Sequence, residues 1–373
     1  MNRLPGLDLL RAIAIVWVML FHGLRYGTPY RDFSVLGWMG VDLFFVLSGF
    51  LIGNQVFKSI NKRKELNIGE FYISRAFRIL PAYFTVLAIY VLVPISQEGR
   101  GLQPLWQFFS FSVNLFIDIK NSNTFSHVWS LCVEEHFYLI FPLIVLLIMK
   151  RSGTGLVIFL SLLIVIIGMY LRADILLNQI DTIPIYRDYV EKIYFPSYTR
   201  LDGLLAGVLL ATLKVFRPHF WQVLLTNSNK VLFLGGLSLA LSIWIFKDRF
   251  GLMATVIGFP ILSISLALIV ASASSTSSIL AKTKVPGAYV IATLAFSYYL
   301  THKSVFHLVK TYGGELIQGN GYVSFFVYGF SATLVATVLY LSVERPFLKL
   351  RSEFLNRKNT RHYANAEVSH SNN

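Results

Sequence analysis

The sequence predicts an all-α polytopic membrane protein with about ten transmembrane helices and both termini in the cytoplasm. Of its 373 residues, 55% are hydrophobic and only 14% are charged, and the mean hydropathy is +0.60. Soluble domains carry about 25% charged residues. Apolar runs long enough to cross a bilayer also recur along the chain. A soluble enzyme with a single membrane anchor is therefore excluded.

Run length and hydrophobic periodicity identify the predicted spans. They cover residues 5–26, 38–57, 80–96, 127–149, 155–171, 198–214, 231–246, 252–271, 287–309 and 322–342. The apolar stretch 105–117 is too short to span, which is typical of a re-entrant or interfacial segment. We expect residues 1–347 to form one membrane domain and residues 348–373 to form a short, polar, disordered cytoplasmic tail.

The net charge of +14 comes largely from short basic clusters between the apolar runs. This pattern follows the positive-inside rule and favours cytoplasmic termini. No nucleic-acid-binding motif accompanies the clusters, so nucleic acid is not an expected partner. The single cysteine, Cys132, excludes an internal disulfide. The first span lacks a small-residue cleavage site, so we expect it to be retained rather than removed as a signal peptide.

Several kinds of catalytic motif are absent from the sequence. It contains no G-x-x-x-x-G-K-[ST] phosphate loop, no G-x-S-x-G nucleophile elbow and no H-E-x-x-H zinc motif. The run Glu134-Glu135-His136 is a weak metal candidate, because adjacent helical residues point in different directions. We therefore expect no metal and no tightly bound cofactor.

The first span carries three ionisable residues on nearly one helical face: Asp8, Arg11 and His22. Arg11 and His22 are about three turns apart, roughly 17 Å along the axis. Ionisable groups in a bilayer are costly and usually face a bundle interior, so this stripe is a functional hypothesis. The alternative is an interfacial ion pair between Asp8 and Arg11, with His22 at the far end of the span.

Two arginines, Arg75 and Arg78, share a helical face at the predicted cytoplasmic entrance of the third span. Paired guanidinium groups suit phosphate, which they can bind in a bidentate manner. The alternative is ordinary positive-inside charge in contact with lipid headgroups.

The fourth span opens with His127, and Glu134 and Tyr138 follow on nearly the same face. Glu134 would lie roughly 10 Å inside the helix, where a carboxylate is costly unless it is paired or protonated. The alternative is a structural ion pair with an arginine such as Arg200.

Further polar residues have simpler expected roles. Asp42 in the second span is expected to pair across the bundle, and Glu344 at the end of the tenth could face a cytoplasmic arginine. His302 and Lys303 are expected at a solvated boundary of the ninth span.

Together these motifs resemble the acyltransferase-3 family, the multi-pass bacterial membrane O-acyltransferases of surface carbohydrates. The resemblance runs from Leu7 to Phe347. It rests on Arg11 and His22, GWMGVDLFFVLSGFLI at 37–52, Arg75 and Arg78, WSLCVEEHFYLIFP at 129–142, YYLTHKSVF at 298–306 and VERPF at 343–347. Two positions depart from the family pattern: His136, where glutamine is more common, and Thr301, where an aromatic or aliphatic residue is common.

The resemblance implies transfer of an acyl group, commonly acetyl, from cytoplasmic acyl-CoA to a carbohydrate hydroxyl at the outer face of a bacterial inner membrane. Family members often carry a fused extracytoplasmic SGNH-type hydrolase domain. Because only the 26 residues 348–373 follow the predicted membrane domain, we expect no such domain in this chain. We therefore expect a stand-alone enzyme or one that works with a separate partner.

With the predicted topology, the resemblance suggests a role for each polar group. Arg11, Arg75 and Arg78 would bind the CoA phosphates, and Asp8 would set Arg11 in place. His22 would be either the general base on the acceptor hydroxyl or the carrier of the acyl group.

Glu134 would orient the His22 imidazole and stabilise its cationic form, as a carboxylate does behind a catalytic histidine. Glu135, about 100° away around the helix, is the second candidate for this role.

Two other classes of function remain open at this stage. A proton-coupled transporter would also place charges inside a multi-span bundle, although no inverted repeat is visible. A sensor or scaffold could use the polar stripe for packing alone.

Overall fold

The computed structural model describes residues 4–24, 31–63, 66–149, 153–180, 185–317 and 321–356. Every regular element in these ranges is helical, which confirms the predicted fold class. In chain order the α-helices are α1 (Pro5–Gly23), α2 (Arg31–Ser34), α3 (Met39–Arg63), α4 (Ile68–Leu92), α5 (Leu105–Phe109), α6 (Val113–Phe116), α7 (Trp129–Met149), α8 (Gly153–Asn178), α9 (Ile185–Tyr189), α10 (Asp202–Phe216), α11 (Pro218–Thr226), α12 (Ser228–Ile245), α13 (Phe259–Ala273), α14 (Ile279–Lys282), α15 (Ala288–Ile317) and α16 (Gly321–Leu339). Short 3-10 and π-helical turns flank several of them.

Eight helical segments within the described ranges are long and apolar enough to cross a membrane, and α10 with α11 makes a ninth if this bent pair is one span. The predicted ninth span corresponds to α15. This helix is not one of the eight segments, because its ionisable residues lower its mean hydropathy. A polytopic membrane protein is therefore supported, while the count of ten spans and the cytoplasmic termini stay predictions.

Helix α4 begins at Ile68, well before the predicted start at residue 80. Asn67 caps it by accepting a hydrogen bond from the backbone N–H of Glu70 at 3.0 Å. An interpretation based on apolar runs misses this start, because the first turns of the helix contain polar residues. Arg75 and Arg78 consequently lie within α4, where their spacing of three residues places them on one helical face, as predicted.

The predicted span 198–214 is a shorter helix with a bend after it. A 3-10 turn at Ser197–Thr199 precedes α10. Pro218 opens α11, which is bent by 108° from α10. Proline lacks a backbone N–H and therefore suits the first turn of a new helix better than the continuation of an existing one.

The apolar stretch 105–117 does not span, as predicted. It forms the short helices α5 and α6, joined through Phe111, whose φ of 54° lies in the left-handed region. The final helical segment continues to Asn356, beyond the predicted domain boundary at 347. The remainder of the predicted tail, 357–373, lies outside the described residues.

Helices α3 and α10 pack with their backbones in close contact. A Cβ atom on Gly49 would overlap the Leu204 carbonyl, and one on Gly207 would overlap the Val46 carbonyl. Only glycine permits this approach. The contact brings the start of α10 beside Asp42, while α1 packs against both α3 and α15.

Candidate active site

The centre of the candidate site is a pair of histidines from α1 and α15. His22 Nδ1 lies 2.7 Å from His302 Nε2, and the two rings are stacked with centres 4.9 Å apart. His302 Nδ1 lies 2.8 Å from the Tyr298 carbonyl. A carbonyl oxygen only accepts hydrogen bonds, so His302 Nδ1 must carry a hydrogen. In neutral His302 the lone pair is then on Nε2, and His22 donates to it from Nδ1.

This order of hydrogen bonds determines the tautomer of His22. With its hydrogen on Nδ1, a neutral His22 keeps the lone pair on Nε2, the nitrogen that is not used in the contact with His302. A histidine oriented by a second group through Nδ1, with Nε2 available, is the arrangement required for a general base or a nucleophile.

A third histidine, His127, lies beside this pair at the start of α7. Its ring centre is 5.1 Å from that of His302 and 6.3 Å from that of His22. It packs edge-on against Phe125 and Tyr299. Neither ring nitrogen has a hydrogen-bond partner among the described residues, although His127 is only 4% exposed. Among the described residues these histidines do not form a group that could hold a metal ion.

An ion pair between Lys303 of α15 and Glu98, in the segment after α4, lies near these three histidines, which we call the histidine cluster. Lys303 Nζ lies 2.9 Å from Glu98 Oε1, and that carboxyl is almost fully buried. The same oxygen accepts a hydrogen bond from the backbone N–H of Phe125 at 3.1 Å. Burial alone would raise the pKa of Glu98, but the Lys303 ammonium and the hydrogen bonds outweigh it and hold that pKa below its ordinary value.

A polar stripe on α7 leads from the histidine cluster into the bundle. Ser130 Oγ is 2.7 Å from the Tyr299 hydroxyl, which also donates to the His127 carbonyl. Deeper along the helix, Tyr138 donates to Glu134 Oε2 at 2.6 Å. From His127 to Tyr138 the stripe covers about 16 Å at a rise of about 1.5 Å per residue.

At its far end the stripe meets Arg75 of α4. The Arg75 guanidinium lies over the Tyr138 ring, 5.6 Å from its centre, and donates to Gln55 Oε1 at 2.8 Å. The Tyr138 hydroxyl is also 2.9 Å from Ser48 Oγ. Aromatic and amide neighbours thus hold the guanidinium plane in one orientation.

Two further arginines accompany Arg75 at this end, which we call the arginine end. Arg78 and Arg351 lie close enough to Arg75 for their positive charges to repel it, and Arg78 is exposed. Two carboxylates lie near these arginines. The charge of Glu135 is attracted by Arg75. Glu344 accepts a hydrogen bond from the Ser297 hydroxyl and is attracted by Arg78. Glu344 thus lies near Arg78, while the cytoplasmic position of this arginine stays a prediction.

The predicted stripe on α1 is present, but its three residues do not form one cluster. Arg11 Nη1 lies 3.2 Å from Asp8 Oδ1. His22 lies about three turns further along the same helix. Asp8 is therefore placed to orient Arg11, and His22 belongs to the histidine cluster.

Asp42 pairs across the bundle, as predicted, and its partner is Arg200. Arg200 Nη2 lies 2.6 Å from Asp42 Oδ1, and both side chains are buried. Beside them Arg172 makes a two-pronged contact with Asp202 at 2.7 and 3.1 Å. Since Arg200 is engaged with Asp42, the alternative of a Glu134–Arg200 ion pair is wrong.

The structure corrects two expectations about the histidine cluster. His302 is fully buried rather than at a solvated boundary. Glu134 is also not the group that orients His22, contrary to what the sequence suggested: His22 is hydrogen-bonded to His302, and Glu134 to Tyr138. The reason is axial distance: His127 lies at the level of His22, and Glu134 is about 10 Å further along α7.

Comparison with known proteins places the chain among acyltransferases. The family model described as an acyltransferase domain matches residues 4–341. Two Staphylococcus aureus proteins, from strains COL and MSSA476, carry the name "Putative O-acetyltransferase"; each is 28% identical over 381 residues, which cover 95% of this chain and 59% of theirs. "O-acetyltransferase OatA" of Staphylococcus aureus strain NCTC 8325 is 25% identical over 374 residues, 93% of this chain and 57% of OatA. The chain thus spans somewhat over half the length of these relatives. No solved structure matches.

Proposed function

The chain belongs to the acyltransferase-3 family, and from this premise we propose that it is a membrane O-acetyltransferase that moves an acetyl group from acetyl-CoA to a hydroxyl of a cell-surface or exported carbohydrate. The observation that carries the proposal is the pairing of His22 with His302, because it leaves His22 Nε2 available for proton or acyl transfer. We further propose that the protein resides in the bacterial inner membrane.

The arginine end is proposed to bind the donor from the cytoplasmic side. Arg75 and Arg78 would hold the CoA phosphates, for which a fixed guanidinium plane beside a second, exposed arginine is suited. Arg11, oriented by Asp8, would assist from α1. The pantetheine arm would follow the polar stripe of α7 towards His22.

At the histidine cluster two routes would give the same products. In the first, His22 Nε2 takes the proton of the acceptor hydroxyl while its oxygen attacks the thioester carbon; the C–S bond breaks and the CoA thiolate recovers the proton. In the second, His22 Nε2 attacks the carbonyl carbon, the C–S bond breaks and CoA leaves as the thiolate. The acceptor hydroxyl then displaces the imidazole, and its proton passes to the thiolate. In both routes His302 holds the ring and its tautomer.

This assignment gives the orienting role proposed for Glu134 to His302. Glu134 and Glu135 lie between the two ends of the site, near Tyr138 and Arg75. We propose that they balance the positive charge of the arginine end and help to position Arg75 for the donor.

CoA release from acetyl-CoA tests the proposal. The full chain would be reconstituted in lipid nanodiscs, open on both faces, with a mixed bacterial glycan extract and radiolabelled acetyl-CoA. Wild type should release CoA and transfer label to glycan. His22→Ala and Arg11→Ala, at matched folded yield, should do neither. Equal rates in all three proteins would remove the α1 stripe from the mechanism, and no release from any acyl-CoA would favour a transporter.

A further inference from the structure

The His127 ring is buried beside the reactive histidine and leaves its polar atoms unused. Both ring nitrogens are inaccessible and have no hydrogen-bond partner among the described residues. The Leu300 carbonyl approaches the ring, but not with the geometry of a hydrogen bond. A buried polar group without a partner costs about 1–3 kcal/mol. Such an arrangement points to a polar partner that is present only at some stage of the reaction.

The surroundings of His127 limit what that partner can be. Phe125 and Tyr299 pack on the ring, and His302 and His22 lie beside it. The nearby Lys303 ammonium is already bound to Glu98 and Ser126. His302 is committed to His22 and Tyr298 through its two nitrogens. A group that reacts at His22 Nε2 is therefore the group that His127 can reach.

We propose that His127 is a further catalytic residue, whose ring N–H donates a hydrogen bond to the carbonyl oxygen of the acyl group as that oxygen gains negative charge. This proposal rests on the proposed acetyl transfer. With ring centres 6.3 Å apart, His22 and His127 can act on one carbonyl group, the first at its carbon or at the attacking hydroxyl and the second at its oxygen. A donor held in a water-poor site is the usual means of stabilising such an oxyanion.

No bond to His127 forms or breaks in this step. The thioester C=O becomes a tetrahedral C–O⁻ when the nucleophile adds, and the negative charge returns to the carbon–oxygen double bond when CoA leaves. His127 keeps its hydrogen throughout, so it need not change its charge during turnover.

Three variants test the assignment by steady-state acetyl transfer in nanodiscs. His127→Phe fills the space without a donor and should lower kcat about 100- to 1,000-fold with little change in KM for acetyl-CoA. His127→Gln keeps an N–H donor and should recover at least a tenth of the wild-type kcat. His136→Gln is the matched control, because it makes the same substitution at a half-buried histidine of α7 whose contact is with Ser197; its kcat should not change.

A donor and a base differ in their pH profiles. If His127 donates a hydrogen bond, the acidic limb of the kcat profile should persist in His127→Gln. Loss of that limb without recovery by glutamine would make His127 the base and overturn the proposal. A kcat within about threefold of wild type in His127→Phe would overturn it too, leaving only a packing role.

A dithioester analogue of acetyl-CoA provides a test that also works if His127→Phe fails to fold. Replacing the carbonyl oxygen with sulfur weakens hydrogen-bond acceptance at that atom. The ratio of oxygen to sulfur rates should therefore be larger in wild type than in His127→Gln, where the donor is less well placed. Equal ratios would overturn the proposal. If wild type releases no CoA at all, the proposed function fails first and His127 loses its role with it.

Discussion

His22 Nδ1 lies 2.7 Å from His302 Nε2, although 280 positions separate the two residues in the chain. The Tyr298 carbonyl fixes the hydrogen on the other nitrogen of His302, and this fixes which nitrogen of His22 is free. We therefore propose that His302 is a positioning residue that acts through His22, in the place where other enzymes use a carboxylate.

Replacing His302 should impair turnover more than donor binding. His302→Leu removes the acceptor for His22 Nδ1, so the His22 ring can rotate or change tautomer. We expect kcat to fall about 100-fold while KM for acetyl-CoA stays within about twofold, and kinetics in nanodiscs would measure both.

A conservative variant separates positioning from packing. In His302→Gln the side-chain carbonyl can accept from His22 Nδ1, so part of the lost kcat should return. If His302→Gln and His302→Leu lose activity equally and melt at equally reduced temperatures, the effect of His302 is structural.

The sequence predicted the membrane class because apolar length is a local signal, and it singled out candidate charged residues by a local signal as well. Apolar length alone locates α1, α3, α7 and α8, and the cost of burying charge singles out Arg11 and His22. The partner of His22 could not be found in this way. His302 is adjacent to Lys303, and that neighbour suggested a solvated boundary; only the packing of α15 against α1 and the Glu98 ion pair show that it is buried.

Helix breaks and long-range contacts were harder to predict, because they depend on more than the local run of apolar residues. The start of α4 depends on a cap at Asn67 within a polar stretch, which an apolar-run criterion passes over. His127 carried a usable signal, a histidine at the head of an apolar helix on the face of Glu134. That signal does not reveal which residues of other helices lie beside His127 in the bundle.

Arg75 should matter for donor affinity through the shape of its side chain as well as its charge. In Arg75→Lys the positive charge remains, but the planar group over Tyr138 and the hydrogen bond to Gln55 are lost. We expect KM for acetyl-CoA to rise about tenfold, with kcat within about threefold of wild type. Arg217→Lys, at an exposed arginine that bonds the Phe216 carbonyl, is the matched control and should leave both constants unchanged. An unchanged KM in Arg75→Lys would move the phosphate site away from Arg75.

The Asp42–Arg200 pair should contribute to folding rather than to turnover. Both side chains are almost completely buried, so removing one partner leaves a buried charge unpaired, at a typical cost of about 3–5 kcal/mol. Asp42→Leu and Arg200→Met should each lower the apparent Tm sharply, and the double variant Asp42→Leu/Arg200→Met should lose less than the sum.

An exposed pair provides the comparison for Asp42 and Arg200. Lys192 and Asp188 are also an ion pair, at 3.1 Å, but they are 43% and 32% exposed. Such pairs contribute less than about 1 kcal/mol, so Asp188→Asn should barely change Tm. Strictly additive losses at Asp42 and Arg200 would show that the two residues act independently.

The Glu98–Lys303 pair should make the stability of the histidine cluster depend on pH. The pKa of folded Glu98 lies below its ordinary value of 4.5, so protonation favours the unfolded chain. The stabilisation is therefore fully present above about pH 4.5 and is lost as the pH falls through the folded pKa. Thermal unfolding of wild type and Glu98→Gln should give a Tm difference that is large at pH 7 and shrinks as the pH falls below 4.5. Glu353→Gln, at an exposed carboxyl of the last helical segment, should track wild type at every pH. A Tm difference between wild type and Glu98→Gln that stays constant from pH 7 to pH 3.5 would mean that the pair does not stabilise the fold through its charge.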